Sequence, residues 1–273
     1  MQQMIVLGTG QAVCLHYHNT CFALENEQGY FLVDGGGCSD IIRCITETSM
    51  SWQKLHHAFL SHEHTDHLVG MIWVVRYIAE LMNWGRYEGD FTLYTHDVAA
   101  EKLITICKML LKPSQAGLIG VRIHVINIVD GQTVDVLGEH YTFFDIHSKK
   151  AKQFGFRLET KEQKSIVFLG DEPFNEQCSQ YMTPCDWLLS EAFCLYSERG
   201  RYNPYELFHA TVKEACVCAE RFHAKNLVLW HTEDESTYGE RKIRYTQEAR
   251  QFFSGNVFVP DDYERIQFAA PQK

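Results

Sequence analysis

The chain has 273 residues, of which 45% are hydrophobic and 13% aromatic, so it can bury a large core and lacks the composition of a disordered protein. Its formal net charge of −10 disfavours long nucleic acid as a partner unless a local basic patch or a bound metal compensates. The sequence has no uncharged apolar run of about 18 residues, no secretory signal and no C-x-x-C pair among its ten cysteines. These features predict a cytoplasmic protein with reduced thiols and no membrane partner.

The first half of the chain alternates strand-like and helix-like segments. Short apolar runs bounded by glycine or polar residues predict strands, and longer segments with helical spacing predict helices. In chain order, the predicted elements are a strand and Gly turn in 4–12, a hairpin over 19–37, a helix over 41–55, a strand over 56–62, a helix over 68–84, a strand over 90–96 and a helix over 98–112.

The second half begins with consecutive strands and ends with a mixture of helices and strands. The strand-like segments are 121–128, 132–137, 140–148 and a hairpin over 154–171, and the later alternation covers 186–193, 211–223, 226–231, a helix over 240–253 and a strand over 256–260. Two halves of this kind predict a four-layer αββα sandwich, in which two sheets pack together and helices lie outside. Because no repeat, low-complexity tract or linker interrupts the sequence, a single domain over residues 1–273 is predicted.

The segment "FLSHEHTDHLVG" (59–70) concentrates side chains that bind metals. His62, His64, Asp66 and His67 lie within six positions, between an apolar strand and an apolar helix. Imidazole and carboxylate are ligands that suit zinc and similar metals. Four such ligands exceed what one open catalytic ion needs and fit a pair of ions about 3.5–4 Å apart. The alternative is a polar surface loop with chance histidines.

Further ligands are expected where other strands end. His147 ends the segment "YTFFDIHS", Asp171 ends "KSIVFLGD" and His231 ends "NLVLWH". Each of these residues alone could be an ordinary loop residue. Together they complete a ligand set for two ions, in which the two oxygens of Asp171 can bridge the pair.

This pattern resembles the metallo-β-lactamase superfamily, and within it the ribonuclease Z-like branch. Beyond H-x-H-x-D-H and the later His, Asp and His, the resemblance includes "VLGTGQA" near the N-terminus and "YFLVDGGG", whose Asp34 would support the histidine loop. "SEAF" (190–193) and "HATVKEA" (209–215) are similar to two downstream motifs of the branch. The resemblance covers almost the whole chain.

The resemblance implies a dinuclear zinc site, with Mn²⁺ or another divalent transition metal as an alternative. The implied ligands are His62, His64 and His147 for one ion, Asp66, His67 and His231 for the other, and Asp171 as the bridge. A metal-bound hydroxide would be the nucleophile, with its pKa lowered toward about 7.

The same resemblance assigns catalytic roles to three side chains. Asp66 would orient or deprotonate the attacking water, and His209 would protonate the leaving oxygen or stabilise the transition state. Glu191 would hold His209 in the required tautomer and orientation. For Glu191 and His209, the alternative is a helix cap or a surface pair.

The length of one connection argues against a tRNA-sized substrate. Ribonuclease Z proper carries a long arm between the third metal histidine and the bridging aspartate, whereas here 24 positions separate His147 from Asp171. Lys149, Lys150 and Lys152 lie in this connection and are interpreted as a solvated face. The chain is more similar to armless anti-Pycsar phosphodiesterases. This resemblance implies hydrolysis of small phosphodiesters, with cyclic mononucleotides as substrates.

Several expectations depend on these assignments. Alternative functions are a ribonuclease Z-like RNA or tRNA endonuclease, a hydrolase of another ester or thioester on the same metal site, and a metalloprotein without catalytic activity. Branch relatives imply a homodimer. The irregular segment 194–208 is a candidate lid in which Arg199 and Arg201 could contact phosphate. Candidate residues for stacking on a base are Tyr17, His18, Phe193, Tyr196 and Tyr202.

Overall fold

The computed structural model describes Met1 and residues 3–268 and divides the chain between two structural units. Of the described residues, the first unit contains 1, 3–8, 18–128 and 262–268, and the second contains 9–17 and 129–261. Within the described residues, no helix combines the length and the apolar character that crossing a membrane would require. All ten cysteines, each of which is described, are free thiols.

The first unit is built on a seven-stranded mixed sheet. Its strands are β1 (Gln3–Gly8), β2 (Cys21–Asn26), β3 (Gly29–Val33), β4 (Leu55–Phe59), β5 (Phe91–Thr95), β6 (Ile123–Asn127) and β14 (Arg265–Gln267). They lie in the order β14-β1-β2-β3-β4-β5-β6, with antiparallel pairing from β14 to β3 and parallel pairing from β3 to β6.

Four helices belong to the first unit: α1 (Asp40–Glu47), α2 (Thr65–Asn83), α3 (Asp97–Leu110) and α4 (Pro113–Ala116). Helix α2 is apolar around most of its circumference because it is buried against the sheet and its neighbouring helices. Its side chains Met71, Val74 and Ile78 belong to the same buried cluster as Leu32 of β3 and Ala58 of β4.

The second unit is built on another seven-stranded mixed sheet. Its strands are β7 (Gln132–Val136), β8 (Glu139–Asp145), β9 (Phe154–Glu159), β10 (Ser165–Phe168), β11 (Trp187–Glu191), β12 (Asn226–Trp230) and β13 (Asn256–Phe258). Their order is β13-β12-β11-β10-β9-β8-β7, with parallel pairing from β13 to β10 and antiparallel pairing from β10 to β7. Its helices are α5 (Arg199–Tyr202), α6 (Val212–Arg221) and α7 (Arg241–Ala249).

The parallel part of each sheet gathers polar residues at one edge. In the first unit, Asp34 follows β3 and His62 lies three residues beyond the end of β4, and both strands end at this edge. In the second unit, Asp171 lies three residues beyond β10, Glu191 is the last residue of β11 and His231 follows β12. Neighbouring parallel strands end together, so each sheet brings side chains that are far apart in sequence to a common place.

Two predicted helix boundaries in the first unit are wrong, and in the second unit the helix predicted over 240–253 ends at Ala249. The helix predicted over 41–55 ends at Glu47, because Ser49 adopts a left-handed backbone and a 3-10 helix and β4 take up the remainder. The helix predicted over 68–84 begins at Thr65, because His64 acts as its N-cap residue and accepts the first backbone hydrogen bonds. Asp66 therefore lies in the first helical turn, where a negative charge is favourable.

Close backbone contact holds the start of α2 against the loop after β3. The N–H of Gly70 donates to the carbonyl of Gly36 at 2.7 Å, and that of Gly35 donates to the carbonyl of His67 at 3.0 Å. A Cβ atom on Gly70 would lie 1.7 Å from the carbonyl oxygen of Gly35, so only glycine fits here. The first turn of the helix, which carries Asp66, is thus held beside Asp34.

Candidate functional site

A buried carboxylate organises the histidine loop of the first unit. Asp34 has a left-handed backbone with a φ of 58°, which turns the chain directly after β3. One of its oxygens accepts a hydrogen bond from the backbone N–H of Ser61 at 2.7 Å. The other accepts from Ser61 Oγ at 2.7 Å and from Nδ1 of His67 at 2.8 Å. Asp34 therefore connects the end of β3, the end of β4 and the first turn of α2.

These hydrogen bonds determine the tautomers of two histidines. His67 donates its Nδ1 proton to Asp34, so in the neutral ring Nε2 is the nitrogen that carries the lone pair. Ser61 donates its hydroxyl proton to Asp34, so Nδ1 of His62, 3.0 Å from Ser61 Oγ, is the donor in that contact. Nε2 of His62 is thereby also left as a lone pair. In the neutral form of each ring, Nε2 is therefore the nitrogen that can bind a metal ion.

The other loop side chains lie close to these two rings. The ring centroid of His62 is 4.2 Å from that of His67 and 4.5 Å from that of His64, and Nε2 of His67 is 3.2 Å from Asp66 Oδ2. Burial opposes the charged form of His67, but the carboxylates of Asp66 and Asp34 outweigh it and hold the pKa of His67 well above its usual value. The same negative charges favour any cation at this position.

A second buried carboxylate lies behind two histidines of the second unit. Glu191 is completely buried. Its Oε2 accepts a hydrogen bond from Nδ1 of His209 at 2.7 Å and lies 3.4 Å from Nδ1 of His231, while its Oε1 accepts from the backbone N–H of Ala210 at 2.7 Å. Glu191 thus faces the Nδ1 side of both rings, and the Nε2 atoms are directed away from it.

Asp171 and Lys150 complete this cluster. Oδ2 of Asp171 lies 3.7 Å from Nε2 of His231 and 3.6 Å from the Lys150 ammonium, and Gln153 donates to Oδ1 of Asp171. Lys150 also donates to the backbone carbonyl of Asp171 at 3.2 Å and lies 3.4 Å from Nε2 of His209. A carboxylate, two imidazoles and an ammonium group therefore meet within a few ångströms.

The donor sets of both units fit a divalent metal. In the second unit, Asp171, His209 and His231 each offer one ligand atom, and these atoms lie within 4.8 Å of one another. Neutral imidazole nitrogens whose opposite nitrogens are held by carboxylates are typical of zinc sites, and carboxylate oxygens complete such sites. His209 belongs to this group although the sequence assigns it a role in proton transfer. The predicted roles of all these residues stay predictions.

Among the described residues of the second unit, His147 is not a member of that trio. It follows β8 by two residues with a left-handed φ of 57°, and its N–H donates to Asp145 Oδ1 at 2.7 Å. Its side chain lines a cavity of about 450 Å³ that also reaches His209. Its assignment as a metal ligand stays a prediction.

Three polar contributors were missed in the sequence. The interpretation of Lys150 as part of a solvated face is wrong, because its side chain is 17% exposed and contacts Asp171 and His209. Gln153 is buried against Asp171, and Ser61 connects Asp34 to His62. Ser61 directly precedes His62 in the sequence, and this position next to a predicted ligand is a signal by which it could have been identified. Lys150 and Gln153 carry no comparable signal.

Most of the aromatic residues predicted to stack on a base have other partners. The Tyr17 ring lies 3.6 Å from the guanidinium of Arg241, and the hydroxyl of Tyr202 donates to Glu233 at 2.8 Å. The Phe193 ring stacks on His209 with centroids 4.9 Å apart, which fixes the imidazole plane. The segment predicted as a lid contains a 3-10 helix at Tyr196–Glu198 followed by α5, and its closure over substrate stays a prediction.

Comparisons with known proteins find a matching family model, curated relatives and similar solved structures. A family model described as a β-lactamase superfamily domain matches residues 45–232. Ribonuclease Z of Thermococcus sibiricus is 22% identical over an alignment of 308 positions, which covers 97% of this chain and 96% of the relative. The crystal structure of the metallo-β-lactamase fold protein YhfI from Bacillus subtilis matches with a TM-score of 0.79 at 19% identity and covers 97% of this chain and 99% of that chain.

A diphosphatase from the PhnP family is also similar in structure. It matches with a TM-score of 0.72 at 15% identity and covers 98% of each chain. At these identities the likeness shows the fold alone, and it confirms the predicted αββα sandwich.

Replacing Asp34 by asparagine should weaken metal binding. Asparagine tolerates the left-handed backbone, but it cannot accept all the hydrogen bonds that hold Ser61 and His67. We expect the affinity for Zn²⁺ to fall by about 10–100-fold, as for other groups that orient metal ligands. Competition with a chromophoric chelator measures it. The control is Asp90→Asn, an exposed carboxylate paired with His124 in the same unit. Equal affinities for the two variants would contradict the role of Asp34.

Proposed function

The chain belongs to the β-lactamase superfamily, and on that premise we propose that it is a dinuclear zinc phosphodiesterase that hydrolyses small phosphodiesters, with cyclic mononucleotides as its substrate class. The family predicted from the sequence and the predicted enzyme class, a metal-dependent hydrolase, are confirmed. The observation that carries the finer proposal is the cluster of Asp171, Lys150 and His209 in front of the buried Glu191.

The proposed metal ligands are those implied by the sequence. They are His62, His64 and His147 for one ion, Asp66, His67 and His231 for the other, and Asp171 for both. Zinc ions bound there would supply Lewis acidity and a nucleophile at neutral pH. Support comes from the chemistry of the donors, since Asp34 and Ser61 contact the Nδ1 atoms of His67 and His62 and Glu191 faces Nδ1 of His231. Asp66 is proposed to position the attacking water.

His209 is the proposed proton donor to the leaving group. Hydrolysis of a cyclic nucleotide adds hydroxide to phosphorus and breaks the bond to the ribose 3′-oxygen, which needs a proton as it leaves. Glu191 holds Nδ1 of His209, so Nε2 is the nitrogen that can carry this proton. The same hydrogen bond orients the imidazole ring. The side chain of His209 is 15% exposed, compared with 3% for His231, so His209 is the histidine that a substrate can reach.

Lys150 is proposed to bind a non-bridging oxygen of the phosphate. Its ammonium group lies beside both Asp171 and Nε2 of His209, where charge develops during displacement at phosphorus. A hydrolase acting on a neutral ester has less need of such a cation. The positive charge of Lys150 is also notable in a chain of net charge −10, because it provides local attraction for an anionic substrate.

A small substrate is supported by the connection between His147 and Asp171. It contains a short loop and the β9–β10 hairpin, whose strands join through residues 160–164. The alignment with Ribonuclease Z of Thermococcus sibiricus runs over 308 positions, more than the 273 residues of this chain, so that relative contains segments that this chain lacks. A surface of net charge −10 further disfavours a large polyanion.

The competing function is RNA cleavage. Curated relatives named Ribonuclease Z match nearly the whole chain, which favours a tRNA-processing endonuclease as the second candidate.

The proposal also retains the predictions of one domain over residues 1–273, a homodimer and a cytoplasmic location.

The metal-loaded protein should open 3′,5′-cyclic nucleotides and hydrolyse bis(p-nitrophenyl) phosphate, and it should leave precursor tRNA intact. Incubation with a chelator should abolish both activities, and elemental analysis should find about two metal ions per chain. Asp171→Ala should lose metal, whereas Asp135→Ala, an exposed carboxylate of the same unit, should retain it. Cleavage of precursor tRNA with no turnover of cyclic nucleotides would favour the competing function. A single ion retained by Asp171→Ala would contradict the metal assignment.

Removing the imidazole of His209 should slow the chemical step. We expect His209→Ala to lower kcat by about 10²–10⁴-fold, the range typical of general acid catalysis, while metal content stays unchanged. Elemental analysis and steady-state kinetics test this together. His140→Ala, which removes an exposed histidine that pairs with Asp135, is the control. Loss of metal from His209→Ala would instead assign His209 as a ligand alongside Asp171 and His231.

Removing the charge of Lys150 should weaken transition-state stabilisation. Lys150→Gln should lower kcat/KM for cyclic nucleotides by about 100-fold, and Lys150→Arg should recover part of the loss because it keeps the positive charge. Lys152→Gln removes a charge from the exposed face of the same loop and should have little effect. If Lys150→Gln and Lys152→Gln behave alike, Lys150 does not contact the phosphate.

A further inference from the structure

A cavity beside His209 is lined in part by aromatic side chains that are not among the proposed metal ligands. It lies within the second unit, has a volume of about 450 Å³ and is here called the Phe208 cavity. Its lining includes His147, Lys149, Phe174, Tyr205, Phe208 and His209. Since His209 forms one wall, a group in this cavity is directly connected to whatever lies at the proposed proton donor.

The rings of this cavity are presented to solvent rather than to the core. Phe208 is 40% exposed and Tyr205 is 49% exposed, although a large ring is normally buried. Phe208 also has a left-handed backbone with a φ of 54°, an outlier for a bulky residue. The turn is held because the N–H of His209 donates to the carbonyl of Pro204 at 2.8 Å. Strain of this kind concentrates at functional sites, and here it places an exposed ring next to His209.

The charges around the Phe208 cavity suit an anionic substrate. The Lys149 ammonium lies 5.9 Å from the centre of the Phe208 ring, and Lys150 lies beside His209. The carboxylate of Glu172 is engaged by Ser148 Oγ and by the backbone N–H groups of Lys149 and Lys150. The other carboxylate in the lining, Glu176, is paired with the guanidinium of Arg221. A negatively charged ligand therefore meets two ammonium groups, and both carboxylates of the lining already have donors.

A second cavity that is also lined by His209 differs in charge. It has a volume of about 430 Å³, and its lining includes three consecutive carboxylates, Glu233, Asp234 and Glu235, with one cation, Arg201, that is paired to Glu235 at 2.7 Å. This acidic lining repels a phosphate-bearing ligand. The anionic substrate is thus directed to the Phe208 cavity.

We propose that the Phe208 cavity binds the nucleobase of a nucleotide substrate whose phosphodiester lies at His209. The inference rests on the proposed function and adds the position and the chemistry of base recognition. Phe208 and Tyr205 provide faces for stacking, which accepts any base because every base has a π-face. Lys149 lies near enough to the Phe208 ring to contact the ribose or phosphate side of the same ligand.

The test compares Phe208→Asn with Leu207→Ala. Asparagine accepts the left-handed backbone but offers no ring, and Leu207 is an exposed neighbour that lines the acidic cavity instead. Binding of 3′,5′-cyclic AMP, GMP, CMP and UMP to each protein is measured by equilibrium dialysis. Turnover of these nucleotides is measured beside that of methyl riboside 3′,5′-cyclic phosphate, which has no base.

Phe208→Asn should weaken the binding of cyclic nucleotides by about tenfold and lower kcat/KM for them by a similar factor, as expected when one stacking partner is lost. Its kcat/KM for the base-free cyclic phosphate should change by less than about twofold, because no stacking is involved. Leu207→Ala should match the wild-type protein with every ligand. Equal losses on base-containing and base-free substrates, unchanged nucleotide binding, or absence of nucleotide binding to the wild-type protein would each overturn the proposal.

Failure of the proposed function gives a different result. If the wild-type protein binds cyclic nucleotides in the Phe208 cavity but hydrolyses neither them nor the base-free phosphate, the base site stands and the catalytic proposal fails. If it hydrolyses both substrate types at the same rate and Phe208→Asn has no effect, the catalytic proposal stands and the base site fails.

Discussion

A carboxylate buried behind histidines is the constraint on which the site depends. This carboxylate is Asp34 in the first unit and Glu191 in the second. Each lies where a parallel strand ends. A buried anion is costly unless hydrogen bonds satisfy it. Asp34 is stabilised by Ser61 and His67, and Glu191 by Ala210 and His209. The hydrogen bonds that stabilise each buried carboxylate also fix the orientation of the imidazole rings. The same contacts therefore serve both the stability of the fold and the arrangement of the site.

This arrangement concentrates negative charge that the protein alone balances only in part. In the first unit, Asp66 lies beside His67, which in turn is held by Asp34, and the two carboxylates raise the pKa of that histidine. In the second unit, the Lys150 ammonium partly balances Asp171. Low-dielectric surroundings strengthen each of these interactions. A divalent cation bound beside these carboxylates would balance their remaining negative charge. Such a cation would therefore favour keeping the acidic groups in buried positions.

The site residues near strand ends could be predicted from the sequence. A strand appears as a short apolar run, and the polar residues that follow the run mark the loop. Asp34, His62, Asp171 and His231 all lie within three residues of a strand end, and an alternation of apolar runs located those strands. Helix starts were harder to predict, since the start of α2 depends on His64 as a cap residue and on the contact between Gly70 and Gly35. Such tertiary contacts leave no periodic signal.

Residues that act through tertiary contacts were not predictable in the same way. Lys150 is one of three lysines within four positions, and composition alone does not distinguish it from Lys149 or Lys152. It is distinguished by the fold, which places its ammonium group against Asp171 and His209. Gln153 likewise acquires its role only because the fold brings Asp171 within hydrogen-bond distance of its side-chain amide.

The two histidines behind Glu191 show how one anion can support two different roles. Nδ1 of His209 and Nδ1 of His231 both face the same oxygen, Oε2, so a change at Glu191 acts on both rings. Their surroundings separate them: His231 is almost completely buried beside Asp171, whereas His209 is partly exposed and stacks on Phe193. A ring that is buried among acidic groups is suited to hold a cation permanently. A ring that is reachable, oriented by stacking and backed by a carboxylate is suited to exchange a proton with a ligand, which is the distinction that the proposed mechanism requires.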